Sequence, residues 1–595
     1  MHIMGRVNSI SCLLFAAGAL AASSKSSFPT WTFLRPNRHM EWNELPTHVS
    51  LSSNPFHAGI LDADAIVMGI TAESNETNAS VNWLELLSHD GSDGLSNSSF
   101  ENALSAIQDS LQQLVYDQSL SDTLIALKAE VENASIATLS SSAVLIKESR
   151  QSPQSIYCMQ FGNVTNSTAA LKQARLLGAA VANLVESVSK KKDDSKKGKS
   201  IKILMPFQLE ASAWTEVAFS FWTTLYKDMR FKGNSEKEKA KESSGAVTVE
   251  FITLNDASSQ IDVQDALQKG ASIARANYMA RDIVNAPHNV LNSLALADTA
   301  ERLASRYRSL SCKILSSANC ERLGMGAFLG VARGSETEAQ FIHMTYKPRR
   351  GRGKLHKIGI IGKGLLFDTG GYNIKTSMME MMKFDCGGAA AVMGAALALA
   401  ELEPEGVEVH FIVAACENMI SERACVPSDV LVASNGKTIE VLNTDAEGRL
   451  TMADALVYAD KEVQCEEIVE LSTLTGACMV ALGSAVAGLW VDSDDLADSL
   501  IRASKATGEQ IWRMPLVEDY KEDLKSKVAD IKNLGGRYGG AISAALFLQN
   551  FVDGNKPFAH IDIAGPVWNF KASQASGYGV KLLVEWVQQR AKEYK

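Results

Sequence analysis

Ile358–Lys375 reads IGIIGKGLLFDTGGYNIK, and Gly387–Leu402 downstream of it reads GGAAAVMGAALALAEL. The first is a β run that ends in Gly362-Lys363-Gly364. The second is almost wholly small or apolar, the composition of a buried helix with close neighbours, and its two opening glycines let backbone approach. A strand followed by such a helix, with further strands expected at Phe341–Tyr346, Lys357–Ile361, Val407–Ala414, Glu467–Leu471 and Ala559–Ile563, argues an α/β sheet covered by helices. Charges are set into this apolar frame. Lys363 is followed by Asp368, by Gly370-Gly371 and by Lys375, and Lys383-Phe384-Asp385 leads into the helix. Charges among isoleucines and leucines are costly to bury unless they are paired or bound to a metal, so Lys–Asp salt bridges and a metal centre both remain open here. A phosphate-binding loop is disfavoured, because no GxxxxGK[ST] occurs and Gly-Lys-Gly runs into leucines.

Asn443–Leu450, NTDAEGRL, adds two more acids and an arginine. In an extended segment Asp445 and Glu447 share a face, and Arg449 joins them. Two acids beside a glycine suit a divalent cation, although a polar surface turn would look the same in isolation. With Asp368 and Asp385 they make four negative charges, which two divalent cations would neutralise. Two such cations can activate water and polarise a carbonyl together, and ends of strands are where open α/β sheets place their sites.

The rest of the chain sets limits. It has 595 residues, 46% hydrophobic and 21% charged, ordinary globular composition with room for two domains. The net charge of −10 does not favour nucleic acid or an anionic membrane surface. No apolar run is expected to reach membrane-spanning length. The nine scattered cysteines lack any CxxC and suggest neither a disulfide framework nor a thiolate zinc site. Residues 1–40 read as a targeting leader: Arg6, the apolar run Ile10–Ala22, then a Ser-rich, basic stretch, with Glu41 the first acid. A plastid or mitochondrion is the expected destination, the cytoplasm and the secretory route less so. N-x-S/T sequons stand at Asn75, Asn78, Asn97, Asn133, Asn163 and Asn166.

Residues 41–260 alternate strand-like runs (Ala65–Ile70, Ser142–Ile146, Ile201–Met205, Val247–Leu254) with helical stretches (Phe100–Tyr116, Ala169–Ser189), an N-terminal α/β domain with a mostly parallel sheet. Lys190–Lys199 and Gly233–Lys241 are charged surface loops within it. A connecting helix is expected within 261–288, ended by Pro287, and a C-terminal α/β domain with a mixed sheet flanked by helices over 289–595.

The pieces GKGLLFDTGGYNIK, MKFDCGGAAAV, NTDAEGRL, STLTGA, ADIKNLGGRYGGAISAALFL and FAHIDIAGPVW occur in this order and resemble the signature of the leucyl aminopeptidase family, the cytosol-type dizinc aminopeptidases. The resemblance covers about 270 to 590 and implies a macro-like N-terminal domain, release of N-terminal residues, leucine favoured, from short peptides, and a homohexamer. It implies Lys363, Asp368, Asp385 and Glu447 at a tight metal site, and Asp368, Asp445 and Glu447 at an exchangeable one, with Zn²⁺ or Mn²⁺ as the ions. Lys375 matches the lysine that polarises the scissile carbonyl. Arg449 matches the arginine that holds a bicarbonate acting as general base. Met382, Thr473, Ala564 and Val567 fall at side-chain pocket positions, and the backbone at Leu474 and Gly476 would bind the peptide. Thr369 stands where serine is commoner and Cys386 where methionine is. His560 and Asp562, on a strand, read as structural. Two rivals are a non-peptidase role, DNA-binding or chaperone-like, and a dimetal phosphoesterase. The acidic balance and the complete ligand set oppose the first. The second would be expected to supply histidine ligands, and the constellation has none.

Overall fold

The computed structural model describes residues 43–46, 49–55, 65–71, 147–151, 154–161, 167–190, 199–205, 209–236, 247–253, 257–350 and 353–595. The leader, the six sequons, the expected helix Phe100–Tyr116 and the expected strand Ser142–Ile146 lie outside them. The chain forms two compact units whose main boundary falls between Ala271 and Ser272, with Lys227–Phe231 belonging to the second.

The first unit holds strands β1 (Val49–Pro55), β2 (Ala65–Thr71), β3 (Lys147–Gln151), β4 (Gln154–Phe161), β5 (Lys199–Met205) and β6 (Val247–Thr253), with helices α1 (Ser167–Lys190) and α2 (Ala211–Thr224). The sheet order is β1-β6-β5-β2-β4-β3, and every pair is parallel except β3 with β4. Parallel neighbours need crossovers, which explains the alternation seen in the sequence. Trp214 and Phe251 meet edge to face at 5.2 Å between α2 and β6, a contact that adds to simple apolar burial.

Helix α3 (Ala257–Asn285) contains the dividing point and stops two residues before Pro287, whose ring disfavours helix in the residue ahead of it. In the second unit come α4 (Ser293–Arg306), β7 (Leu310–Ser316), α5 (Ser317–Arg322), α6 (Gly326–Ala332), β8 (Gln340–Tyr346), β9 (His356–Asp368), α7 (Gly387–Leu402), β10 (Val407–Asn418), β11 (Val430–Val432), β12 (Thr438–Glu440) and α8 (Gly448–Val457). They are followed by β13 (Glu467–Ser472), α9 (Gly476–Leu482), β14 (Val486–Val491), α10 (Asp494–Thr507), β15 (Gln510–Arg513), β16 (Ile531–Lys532), α11 (Gly540–Gln549), β17 (Phe558–Asp562), β18 (Trp568–Asn569), β19 (Gln574–Ala575) and α12 (Val580–Glu593). Eight strands form one mixed sheet in the order β15-β14-β17-β13-β9-β10-β8-β7. Its centre, β17-β13-β9-β10, is parallel. Strands β7, β14 and β15 were not expected: β7 alternates polar with apolar residues around Lys313, and β15 is a four-residue edge strand with Trp512 exposed.

Both faces of this centre are covered, so β10 is buried along its whole length. On one face α7 packs so close that a Cβ on Gly362 would come within 2.5 Å of the Gly388 carbonyl, and one on Gly388 within 2.0 Å of the Leu471 carbonyl. On the other face Ile361, Leu365 and Ile412 share a core with α6, α8 and α11. Contrary to the expectation that no run is long and apolar enough to span a membrane, Met379–Leu402 meets that test by length and composition. Its window is 83% buried inside the fold, which marks it as a core helix.

Candidate metal centre

The ends of β9 and β13 and the starts of α7 and α8 bring the expected charged residues together. Lys363, Asp368, Asp385 and Glu447 are each no more than 3% exposed. The Lys363 ammonium lies 2.8 Å from Asp385 and 2.9 Å from Glu447, and also meets the Thr473 carbonyl at 3.4 Å. Lys375 lies 2.7 Å from Asp368 and 2.6 Å from Asp445. Asp368, Asp445 and Glu447 each offer an oxygen within 4.8 Å of the other two, the one such cluster found among the described residues.

The local folding that makes this possible differs from the extended NTDAEGRL of the sequence reading. Asn443–Glu447 is a turn, and Gly448 opens α8. Turn and helix start, not a shared strand face, put Asp445 and Glu447 side by side. Gly448 is required by a close approach: a Cβ there would stand 2.3 Å from Lys363 Cε. The turn is held by side-chain amides and a hydroxyl that carry no signal of their role in the sequence. Asn533 Nδ2 donates to the Asn443 carbonyl at 2.7 Å and the Leu442 amide donates to Asn533 Oδ1 at 2.9 Å. Thr444 and Asn373 bond reciprocally, backbone amide to side chain, at 2.8 and 2.9 Å. Asn418 Nδ2 donates to Asp368 at 2.7 Å and to the Thr444 carbonyl at 3.0 Å, tying the end of β9 to the turn. Asn and Thr in scattered loops carry no periodic signal, and only their spacing from the acids could have pointed to them.

Electrostatics follow from burial. Desolvation opposes charge on Lys363 and Lys375, but the surrounding carboxylates outweigh it and hold both ammonium groups above the ordinary lysine range. Burial, then the charge of Asp368, pushes Glu447 up to about 8. Glu447 Oε2 is buried without a hydrogen-bond donor. The buried carboxylates of Asp368, Asp385 and Glu447, with the part-exposed Asp445 beside them and an orphaned oxygen on Glu447, form an oxygen-rich donor set that fits divalent cations. Arg449 is 5% exposed, and neither its Nε nor its Nη1 has a partner among the described residues. Burial lowers its pKa to about 10, against the raising effect of Glu447 and Asp562. A buried guanidinium with two free donors fits a small anion.

Of the expected pocket residues, Thr473 contacts the acids directly. Thr473 Oγ1 donates to Asp385 Oδ1 at 2.8 Å. Thr473 and Val567 both press on the first residue of α7, Gly387. Leu474 and Ala564 donate backbone N–H groups to one carboxylate oxygen of Asp562, at 3.2 and 3.1 Å, while the Thr475 hydroxyl donates to the other at 2.6 Å. Met382 is half-buried in the 3₁₀ segment Met379–Cys386, and Gly476 is exposed at the start of α9. His560 is fully buried, paired to Glu470 and stacked on Trp490, away from the acid cluster.

Residues 278–584 match the cytosol aminopeptidase family, catalytic domain. A probable cytosol aminopeptidase of Synechococcus sp. (strain JA-3-3Ab) is 53% identical over 384 residues, covering 63% of this chain and 74% of that protein. Leucine aminopeptidase 2, chloroplastic, of Oryza sativa subsp. japonica is 49% identical over 385 residues, 64% of this chain and 62% of that protein. The solved structure of a tomato leucine aminopeptidase mutant superposes with a TM-score of 0.73 at 35% identity, covering 94% of this chain and 99% of that one. With 53% identity to a relative of which it spans 74%, and a family match across its site-bearing half, the chain belongs to the cytosol aminopeptidase family.

Proposed function

We propose that this metal-dependent aminopeptidase removes N-terminal residues, leucine favoured, at a two-metal centre held by Lys363, Asp368, Asp385, Asp445 and Glu447. The observation that carries the reading is the convergence of the buried Asp368, Asp385 and Glu447 and the part-exposed Asp445 on Lys363 and Lys375 at the sheet's parallel centre. Lys363, as the neutral amine once a dication's charge displaces its proton, would hold one ion with Asp385, Glu447 and Asp368, and Asp368, Asp445 and Glu447 would hold the other, with Zn²⁺ or Mn²⁺ the ions that the family resemblance implies. When bound, they supply Lewis-acid polarisation and a water acidic enough to attack at neutral pH.

The chain's own groups do the rest. Lys375 is the less buried of the two lysines and presents its ammonium beside Asp368 and Asp445, where it can donate to the scissile carbonyl oxygen as charge develops. Arg449, with Nε and Nη1 unpartnered, would hold a bicarbonate that accepts the proton of the attacking water. Thr473, Met382, Ala564 and Val567 would line the side-chain pocket, and the backbone at Leu474 and Gly476 would bind the peptide.

Chelation should abolish hydrolysis of leucyl-anilide, and Zn²⁺, Mn²⁺ or Co²⁺ should restore it. Activity that survives thorough chelation would sink the two-metal reading. We also propose a homohexamer, to be checked by light scattering, and a plastid address. The composition of residues 1–40 and the word "chloroplastic" in the name of the rice relative support the latter.

A further inference from the structure

The two glycines that open α7 are glycines for different reasons. A Cβ on Gly388 would meet backbone, the Leu471 carbonyl at 2.0 Å and the Lys363 amide nitrogen at 2.6 Å, so no side chain fits there. A Cβ on Gly387 would meet side-chain methyls, Val567 Cγ2 at 2.4 Å and Thr473 Cγ2 at 3.2 Å. Gly387 has φ −58° and ψ −34°, a helical conformation open to any residue, and alanine would favour the helix. Backbone geometry therefore does not demand glycine at 387. Space does, and Val567 occupies that space.

We infer that Gly387 sets the depth of the substrate side-chain pocket by giving Val567 a seat against the helix. The inference rests on the reading that Thr473 and Val567 line that pocket. Carbon atoms in contact sit about 3.5–4.0 Å apart. A methyl at 387 must therefore displace the Val567 methyl by about 1 Å or more. Behind Gly387 the core is closed: Gly387, Gly388 and Ala389 are all buried, and Val567 is 3% exposed. Displacement away from the helix carries that methyl into the side-chain pocket, on the reading that Val567 lines it, and the pocket becomes shallower by about a methyl group. Gly387 touches no reacting atom. It determines specificity through Val567, and small side chains should be spared while long ones are excluded.

The test is the ratio of kcat/KM for leucyl- and methionyl-anilide to that for alanyl-anilide. Gly387→Ala should lower this ratio about 10- to 100-fold, the usual effect of one or two methylenes in an apolar pocket. Alanyl-anilide turnover and bound metal should stay near the parent values. The double variant Gly387→Ala, Val567→Ala removes the displaced methyl and should restore the ratio to within about threefold of the parent. Val567→Ala alone separates the two ideas. If it leaves the profile unchanged, the pocket reading fails and this inference falls with it. If it shifts the profile while Gly387→Ala does not, the inference alone is wrong. If neither Gly387→Ala nor the double variant accumulates folded, the clash involves more than Val567 and the inference is again wrong.

Discussion

The sequence marks Asp562 as a structural residue, and the structure shows what it holds. Its fully buried carboxylate ends β17 and accepts from the Leu474 amide at 3.2 Å, the Ala564 amide at 3.1 Å and the Thr475 hydroxyl at 2.6 Å. One side chain thus fixes the loops after two neighbouring strands, each carrying a proposed substrate-binding position. Hydrogen bonds to a charged acceptor contribute about 1.5–3 kcal/mol each, so three of them give about 5–9 kcal/mol. Against that stands the desolvation of a buried carboxylate, several kcal/mol, whose effect is visible in a pKa raised by burial. Asp562→Ala should therefore cost about 2–5 kcal/mol net. Asp562→Asn keeps the shape and an oxygen for the two amides, and should cost about 1 kcal/mol. Urea unfolding of both variants measures this, and leucyl-anilide kinetics measure the consequence at the site. KM should rise by about tenfold for the alanine variant, with kcat falling less, since the loops bind substrate without touching the reacting atoms. An alanine variant as stable as the parent, with unchanged KM, would refute the reasoning.

Other perturbations test other parts. Lys375→Met should lower kcat on leucyl-anilide by about 10²–10³-fold, with a smaller change in KM, as measured by steady-state kinetics at saturating metal. Asp454 is fully buried and accepts from the amides of Phe328 at 2.8 Å and Ser434 at 2.7 Å, away from the acids. Asp454→Ala should cost about 2–4 kcal/mol in denaturant unfolding while leaving kcat per folded molecule unchanged. His343 and His410 bond to each other at 2.9 Å between β8 and β10. Burial, then neighbouring positive groups, lowers them to about 3 and about 4. The unfolded chain takes up these protons near 6.5 and the folded chain does not, so stability should fall as pH drops from about 6.5 toward 4. By pH 5 the loss reaches at most about 2 kcal/mol per histidine. Denaturation midpoints across that range check it, and a His343→Gln, His410→Gln double variant should flatten this limb.

The central strands and α7 were legible because burial on both faces leaves apolar runs that nothing else explains. The charged residues were legible because they break those runs: Lys363 and Asp368 sit inside β9 itself, tolerated because Asp385, Glu447, Asn418 and Lys375 pair them. The reading stopped where chemistry is not periodic. The turn at Asn443–Glu447 departs from the extended segment that the sequence suggests, because two acids two residues apart look alike in both. Asn373, Asn418, Thr444 and Asn533 went unnoticed, since a buried amide that braces a loop has the same letters as an exposed one. The polar β7 and the edge strand β15 were hidden by having one wet side.

The alternation along β9 has a kinetic consequence. Lys363 points toward α8, and Gly362 and Gly364 point the other way, Gly362 into the seam with α7. A slip of one residue against β13, whose Leu471 pairs with Gly362, would drive the lysine into that seam and leave the acids without it. The partners of Lys363 come from as far along the chain as Glu447 and Thr473, contacts that close late because their loops are long. On dilution from denaturant, helix and sheet signals can return while pairings are still being sorted. Peptidase activity returns only in the molecules that settle on the right one, so it serves as a clock for correct register rather than for collapse.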